Sequence, residues 1–198
     1  EYAISYVNKR FCLLPKSVAN FWRTKDMAFF KKNCAPNIIS NHSYNLLKKY
    51  YDYLNPKKTL IAFPGLGEEV AIINQNHAIK EIDVLDINLN VSNRLRDKYS
   101  GSRYNFINED VYLHSFSKQY DLICALNSFH FLYNPFLIFR IFHKNLNDMG
   151  LLICSVPSKP QKSLVPQFFI SEWEFVNIVT QCGFHIEYFN NEVGLFFV

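Results

Sequence analysis

Residues 59–88 read TLIAFPGLGEEVAIINQNHAIKEIDVLDIN. An apolar run from Thr59 to Phe63 meets a turn holding Gly65 and Gly67, a helix-length segment follows, and a second apolar run from Ile82 ends on Asp86. Two short apolar runs separated by a glycine turn and a helix are the pattern of a βαβ unit, because parallel strands need a crossover of that length. Glycines at the strand-to-helix turn let the backbone approach a ligand, and the helix start beyond them presents free amides. Taken alone, a two-glycine turn is equally a tight turn with no ligand.

The second run supplies the context. Asp86 is placed at the carboxyl edge of the expected sheet, and a carboxylate about 20 residues beyond a glycine turn can accept hydrogen bonds from both ribose hydroxyls of a nucleotide-like cofactor. The competing reading is a solvated acid at a strand end. A third position is Asp110, in Ile107-Asn108-Glu109-Asp110, just after the next apolar run. Its carboxylate can accept the exocyclic amino group of adenine, with the adjacent amide of Val111 reaching a ring nitrogen.

Working outward, the same rhythm continues. Candidate strands are 59–63, 82–86, 103–108, 120–126 and 150–156, with candidate helices at 68–76, 90–98 and 135–146. Asn134 before Pro135 is a helix start with Pro in its first position, and Asp148-Met149-Gly150 reads as a turn before a strand. Ser171-Glu172-Trp173-Glu174 is a capping box, and Gly183 is placed to end the helix that it opens. Beyond it, 184–189 and 194–198 read as two strands joined by the polar turn Asn190-Asn191-Glu192. The expected fold is α/β: a Rossmann-like, doubly wound, seven-stranded, mainly parallel sheet with a C-terminal antiparallel hairpin, preceded by an N-terminal helical segment.

That front segment, residues 1–58, is aromatic and basic. It holds eleven Lys/Arg against three Asp/Glu, whereas 59–198 hold ten against fourteen, so all of the positive excess of the +4 chain lies in front. It is expected to lie on the lid or substrate side of a domain spanning 59–198. Its charge could steer an anionic partner, an RNA or a small anionic molecule, or could be a solvated helix face. Tyr2, Tyr6, Phe21 and Trp22 could form a lid or simply pack.

The five cysteines form no C-x-x-C pair, and no apolar stretch reaches the roughly 18 residues of a membrane span, so a reducing, cytoplasmic setting without a membrane span is expected. No metal site is expected. Oligomeric state is not written in the sequence.

Residues 59–198 resemble the class I S-adenosylmethionine-dependent methyltransferases of the small UbiE/BioC-like type. The matching motifs are Gly65-Leu66-Gly67, Val84-Leu85-Asp86-Ile87, Asn108-Glu109-Asp110, Tyr120-Asp121-Leu122-Ile123 through His130-Phe131-Leu132, and Leu146 to Ile153. The resemblance implies S-adenosylmethionine as cofactor, in contact with Phe63, Gly65, Gly67, Asp86, Ile87, Asp110, Val111 and Asn127. The family's glycine motif carries an acid and a further glycine upstream, which helps to hold the amino-acid end of the cofactor. In one register those places hold Ile61 and Phe63; in another, Phe63 takes the place of the acid and Glu69 that of the third glycine.

The implied reaction is in-line displacement at a sulfonium carbon, in which alignment supplies most of the rate. His130, after the fourth strand, is the candidate base if one is needed, against the alternative of a packed histidine. His42 could reach the cleft from the front segment. Asn134-Pro135-Phe136 resembles the motif of amino-group methyltransferases but lies too far past the strand and reads as a helix cap. The alternatives are a catalytically silent domain of the same fold acting as a binding or complex subunit, and a nicotinamide-dependent reductase, against which the incomplete glycine spacing counts.

Overall fold

A computed structural model describes residues 15–34, 43–49, 55–157, 171–187 and 195–196. Two front helices, α1 (Pro15–Arg23) and α2 (Met27–Asn33), and a helical stretch α3 over 43–49 precede the first strand. Then β1 (Lys58–Ala62), α4 (Glu68–Ile73), β2 (Glu81–Leu85), α5 (Leu89–Lys98), β3 (Tyr104–Ile107) and β4 (Tyr120–Ala125) alternate. A 3-10 turn at Phe129–Phe131 leads to α6 (Pro135–Lys144), β5 (Leu146–Cys154), β6 (Val156–Pro157), α7 (Glu172–Gln181) and β7 (Leu195–Phe196).

The strands β3-β2-β1-β4-β5 form one sheet in that order, every pair parallel. The chain reverses its direction of winding between β1 and β4, the switch point at which open sheets of this kind leave a crevice at their carboxyl edge. Side chains alternate across the strands as a sheet buried on both faces requires. Leu60, Ala62, Ile123 and Ala125 pack with α6 and α7 on one face, while Ile61, Val84, Leu122 and Cys124 pack with Leu47 of α3, Val70 of α4 and Leu95 of α5 on the other. Phe30 of α2 is buried in this second layer.

Local signals position the helices. Asn134 caps α6 by accepting from the Leu137 amide at 3.0 Å, with Pro135 first in the helix. Ser171 and Glu174 close the capping box of α7, and Gly183 follows that helix with φ +97°.

Three expectations change. Among the described residues the main sheet has five strands where seven were expected, and Leu195–Phe196 pairs antiparallel with Val156–Pro157 in a separate two-stranded ribbon. The described part of the expected terminal hairpin, 184–187, is not a strand. There Phe184 and Ile186 are drawn onto the α6–α7 core, with the Phe184 ring 5.2 Å from that of His143 and 6.1 Å from that of Phe139. The turn expected at 190–192 lies outside the described residues, as do His42, Tyr2 and Tyr6. The turn expected at 148–150 is instead an irregular stretch inside β5. Between the pairs Tyr120↔Leu146 and Leu122↔Leu151, β4 advances two residues and β5 five. Gly150 is pressed there so closely that a Cβ would stand 2.9 Å from the Tyr120 carbonyl oxygen.

Candidate functional site

The carboxyl ends of β1, β2 and β4 bring most of the expected residues together. After β1 the chain turns through Phe63, Gly65 and Gly67 with φ of +59°, +50° and +87°, and after β4 through Asn127 with φ +55°. Left-handed backbone at a Phe is an uncommon conformation held by its surroundings, and such positions gather at binding sites. Here the Phe63 amide donates to the Leu85 carbonyl at 2.9 Å, its carbonyl lies 3.2 Å from Ser128 Oγ, and its ring leans toward Phe142, 6.4 Å between centroids.

The two glycines serve different ends. A Cβ on Gly67 would lie 2.3 Å from Leu95 Cδ2, so this glycine lets α4 sit down on α5. A Cβ on Gly65 would meet nothing within 4 Å, so the loop faces open space at that point. Arg94 Nη1 of α5 donates to the Leu66 carbonyl at 2.7 Å and ties the loop from behind.

Asp86 ends β2 and is buried, 7% exposed. It accepts from the amide of Asn88 at 2.8 Å, and the Gly65 amide is near enough to favour its charged form. Burial pushes its carboxyl up to about 7, against the lowering effect of these two amides. The glycine loop and the acid are thus neighbours at the switch point. Ile87, next along, is partly exposed. Across from it, Asn108 Nδ2 donates to the Asp86 carbonyl at 2.9 Å, bringing the third loop alongside. Asp110 in that loop is partly exposed, and its Oδ1 accepts from the Tyr112 amide at 3.0 Å, which leaves its other oxygen for a ligand; Val111 beside it is buried.

At the β4 tip, the Asn127 amide donates to Ser155 Oγ at 2.8 Å, while Asn127 Nδ2 is buried and closes no hydrogen bond. His130 is buried in the 3-10 turn against the Phe131 ring, centroids 3.8 Å apart, with Nδ1 unpartnered among the described residues. Burial lowers its pKa to about 3, so the imidazole is neutral across the physiological range.

Three residues that the motifs did not single out belong to this edge. Glu69, in the first turn of α4, is buried with Oε2 unpartnered. Tyr44 of α3 faces it; burial first, then the carboxylates of Glu69 and Glu68, hold the phenol well above its usual range. Asn88 donates to the carbonyls of Trp22 at 2.6 Å and Lys25 at 2.8 Å, and accepts from the amides of Asn90 and Val91. The Trp22 ring lies 4.9 Å from that of Phe131, so α1 reaches from the β2 tip to the turn after β4. An Asn in the N-cap position was the only sequence signal for Asn88, and a Glu in a first helical turn is ordinarily solvated.

These groups fit an adenosine-bearing, amino-acid-bearing cofactor. A buried carboxylate at the switch point, open space at Gly65 and unpartnered buried polar atoms at Glu69 and Asn127 all call for a polar ligand. Among the described residues no group of three or more His, Cys, Asp or Glu could hold a metal, and no helix is long and apolar enough to cross a membrane.

No family model matches the sequence, and no curated protein matches it. Solved structures do. An S-adenosylmethionine-dependent methyltransferase from Mesorhizobium loti superposes with a TM-score of 0.65 at 14% identity, over 79% of this chain and 87% of that one. The N-methyltransferase NodS from Bradyrhizobium japonicum, in complex with S-adenosyl-L-homocysteine, gives 0.60 at 14% identity over 84% of each chain. The cyclase SpnF gives 0.64 at 14% identity over 76% of this chain, which spans 58% of SpnF's length. The chain therefore has the fold of the class I S-adenosylmethionine-dependent methyltransferases.

Proposed function

We propose that the chain binds S-adenosylmethionine at the carboxyl edge of its sheet and transfers the methyl group to a small-molecule or nucleic-acid substrate. The observation that carries this reading is the buried Asp86 carboxylate beside the amide of Gly65 in a left-handed glycine loop at the switch point. In this reading Asp86 holds the ribose hydroxyls and Phe63, Gly65, Gly67 and Ile87 shape the loop around the cofactor. Asp110 and the Val111 amide receive the adenine, and Asn127 faces the amino-acid end. When bound, S-adenosylmethionine supplies an electrophilic methyl carbon on a sulfonium. The protein's part is to orient and to exclude water: α1 spans the edge through Trp22, and the 3-10 turn closes it from the β4 side.

His130 contributes a neutral imidazole to this site, and its burial makes it a hydrogen-bonding group rather than a proton acceptor. A nucleophile that attacks without losing a proton first, or one ionised by its own chemistry, suits such a site. The basic front segment favours an anionic substrate.

A second reading has its own support. The strand position that carries an acid in the methyltransferase motif holds Ile61, the nearest candidate base is buried and weakly basic, and one neighbour with this fold is a cyclase. The chain would then be a binding or complex subunit. Two measurements separate the readings. Calorimetry with S-adenosylhomocysteine is expected to give binding, and its absence at millimolar ligand rejects the first reading. Labelled-methyl transfer to fractionated cellular RNA and metabolites is expected; binding without any transfer favours the second reading.

A further inference from the structure

Glu69 is 3% exposed, and its Oε2 meets no hydrogen-bond partner among the described residues. The groups acting on the carboxylate are its own backbone amide and the like-charged Glu68, with no Lys or Arg among them. A buried carboxylate in such surroundings is costly to the folded chain unless something else satisfies it.

Its surroundings say where it points. The Cys124 thiol and the Tyr44 hydroxyl both feel its charge. Cys124 is the register partner of Ile61 on the neighbouring strand, and both face the α3–α4 layer. The carboxylate, carried on α4, is therefore buried on the same face of the sheet as Ile61 and Cys124, the face to which an acid at position 61 of β1 would have projected. Three residues past Cys124, Asn127 Nδ2 is buried and meets no hydrogen-bond partner among the described residues, and the Tyr44 hydroxyl is near both Asn127 and Glu69. An acceptor that lacks a cation and a donor that lacks an acceptor, both bordering Tyr44, are complementary to a zwitterion: an ammonium for the first and a carboxylate for the second.

We infer that Glu69 supplies from the helix the carboxylate that β1 lacks and binds the α-ammonium of the cofactor's amino-acid end, with Asn127 directed to the α-carboxylate. The inference rests on the cofactor reading of the preceding section. It moves the acid from strand to helix: the position in sequence changes, and the face of the sheet that it serves does not.

The test compares two ligands by calorimetry on the purified chain: S-adenosylhomocysteine, which has the amino-acid end, and 5′-methylthioadenosine, which keeps the adenosine and the sulfur but lacks it. The unaltered chain is expected to prefer S-adenosylhomocysteine. Glu69→Gln should weaken that ligand about 10- to 100-fold, the range for losing one charge-assisted hydrogen bond, and leave methylthioadenosine within roughly twofold. Should Glu69→Gln not fold, Glu69→Asp, one carbon shorter, takes its place with the same selective loss expected. Unchanged affinity for S-adenosylhomocysteine in the variant overturns the inference, and so does a parallel loss of both ligands, which would mark Glu69 as structural. An unaltered chain that binds both ligands equally overturns the inference and leaves the cofactor reading standing. One that binds neither overturns the cofactor reading, and this inference with it.

Discussion

At the amino edge of the sheet, Asp121 accepts from the amides of Lys57 and Lys58 at 2.8 and 2.9 Å and from Asn147 at 2.6 Å. Just inside that edge, the buried Asp83 accepts from Tyr120 at 2.6 Å, Lys118 at 3.1 Å and Asn105 at 3.3 Å. At the carboxyl edge, Asp86 and Glu69 are as buried but are served mostly by backbone amides, and Glu69, Asn127 and His130 each keep a polar atom without a partner. Burial shifts Asp86 upward there, whereas the three donors around Asp121 hold it below the ordinary carboxylate range despite some desolvation. Among the described residues, the acids at one end of the sheet are saturated and Glu69 at the other is not, although the Thr59 hydroxyl at the amino end also lacks a partner. A saturated network stabilises the fold, and an unsaturated one leaves interaction free for a ligand.

The contrast can be broken experimentally. Asp83→Ala should have the largest effect, since it leaves the Tyr120 hydroxyl and the Lys118 ammonium without their buried partner. A loss of about 3–5 kcal/mol is expected in urea unfolding, with ligand affinity unchanged in the folded fraction. Gly67→Ala comes next, with a left-handed φ and a clash with Leu95 together costing about 2–3 kcal/mol. Gly65→Ala, with a similar φ but open space, should cost only about 1 kcal/mol and act instead on S-adenosylhomocysteine binding. If the two glycine variants lose stability equally, the distinction between packing glycine and ligand-facing glycine fails.

Asp86→Asn should move stability the other way. With a carboxyl at about 7 in the fold and 3.8 when unfolded, the ligand-free chain loses stability as pH rises from the lower value through the upper one. Removing the charge should therefore stabilise it by about 1–3 kcal/mol at pH 8, leave it unchanged near pH 3.5, and abolish cofactor binding. Thermal unfolding of both proteins at the two pH values checks this. Asp121→Asn should give the smallest effect and the opposite sign. A carboxyl held low adds stability above its unfolded range, lost as pH falls through the folded value, so the variant should be slightly less stable at neutral pH and should match the unaltered chain in acid.

Much of the fold was legible because its signals are local and repeated. The βαβ period, the Asn134-Pro135 start of α6 and the Ser171–Glu174 capping box each fix an element from a few adjacent residues. The turn at 148–150 was misread because Gly150 sits in the strand for a tertiary reason, its close approach to Tyr120. The end of the chain was misread because strand patterning cannot show that Phe184 is claimed by the aromatic cluster around Phe139. In the site, Asp86 and the glycine loop follow a known spacing. Glu69 does not, because its burial depends on α3 packing over α4, a contact between residues distant in sequence.

Asn88 has a consequence for how long a ligand stays. One side chain caps α5 and fastens two carbonyls of the front segment, and its own amide fastens Asp86. Docking of the front helices and the shape of the loop at Asp86 are therefore linked through one residue. By reciprocity, whatever tightens one tightens the other. In the proposed reading, the contact of Trp22 with Phe131 would carry that coupling across to the turn after β4, so that the front segment takes part in how long a bound molecule stays.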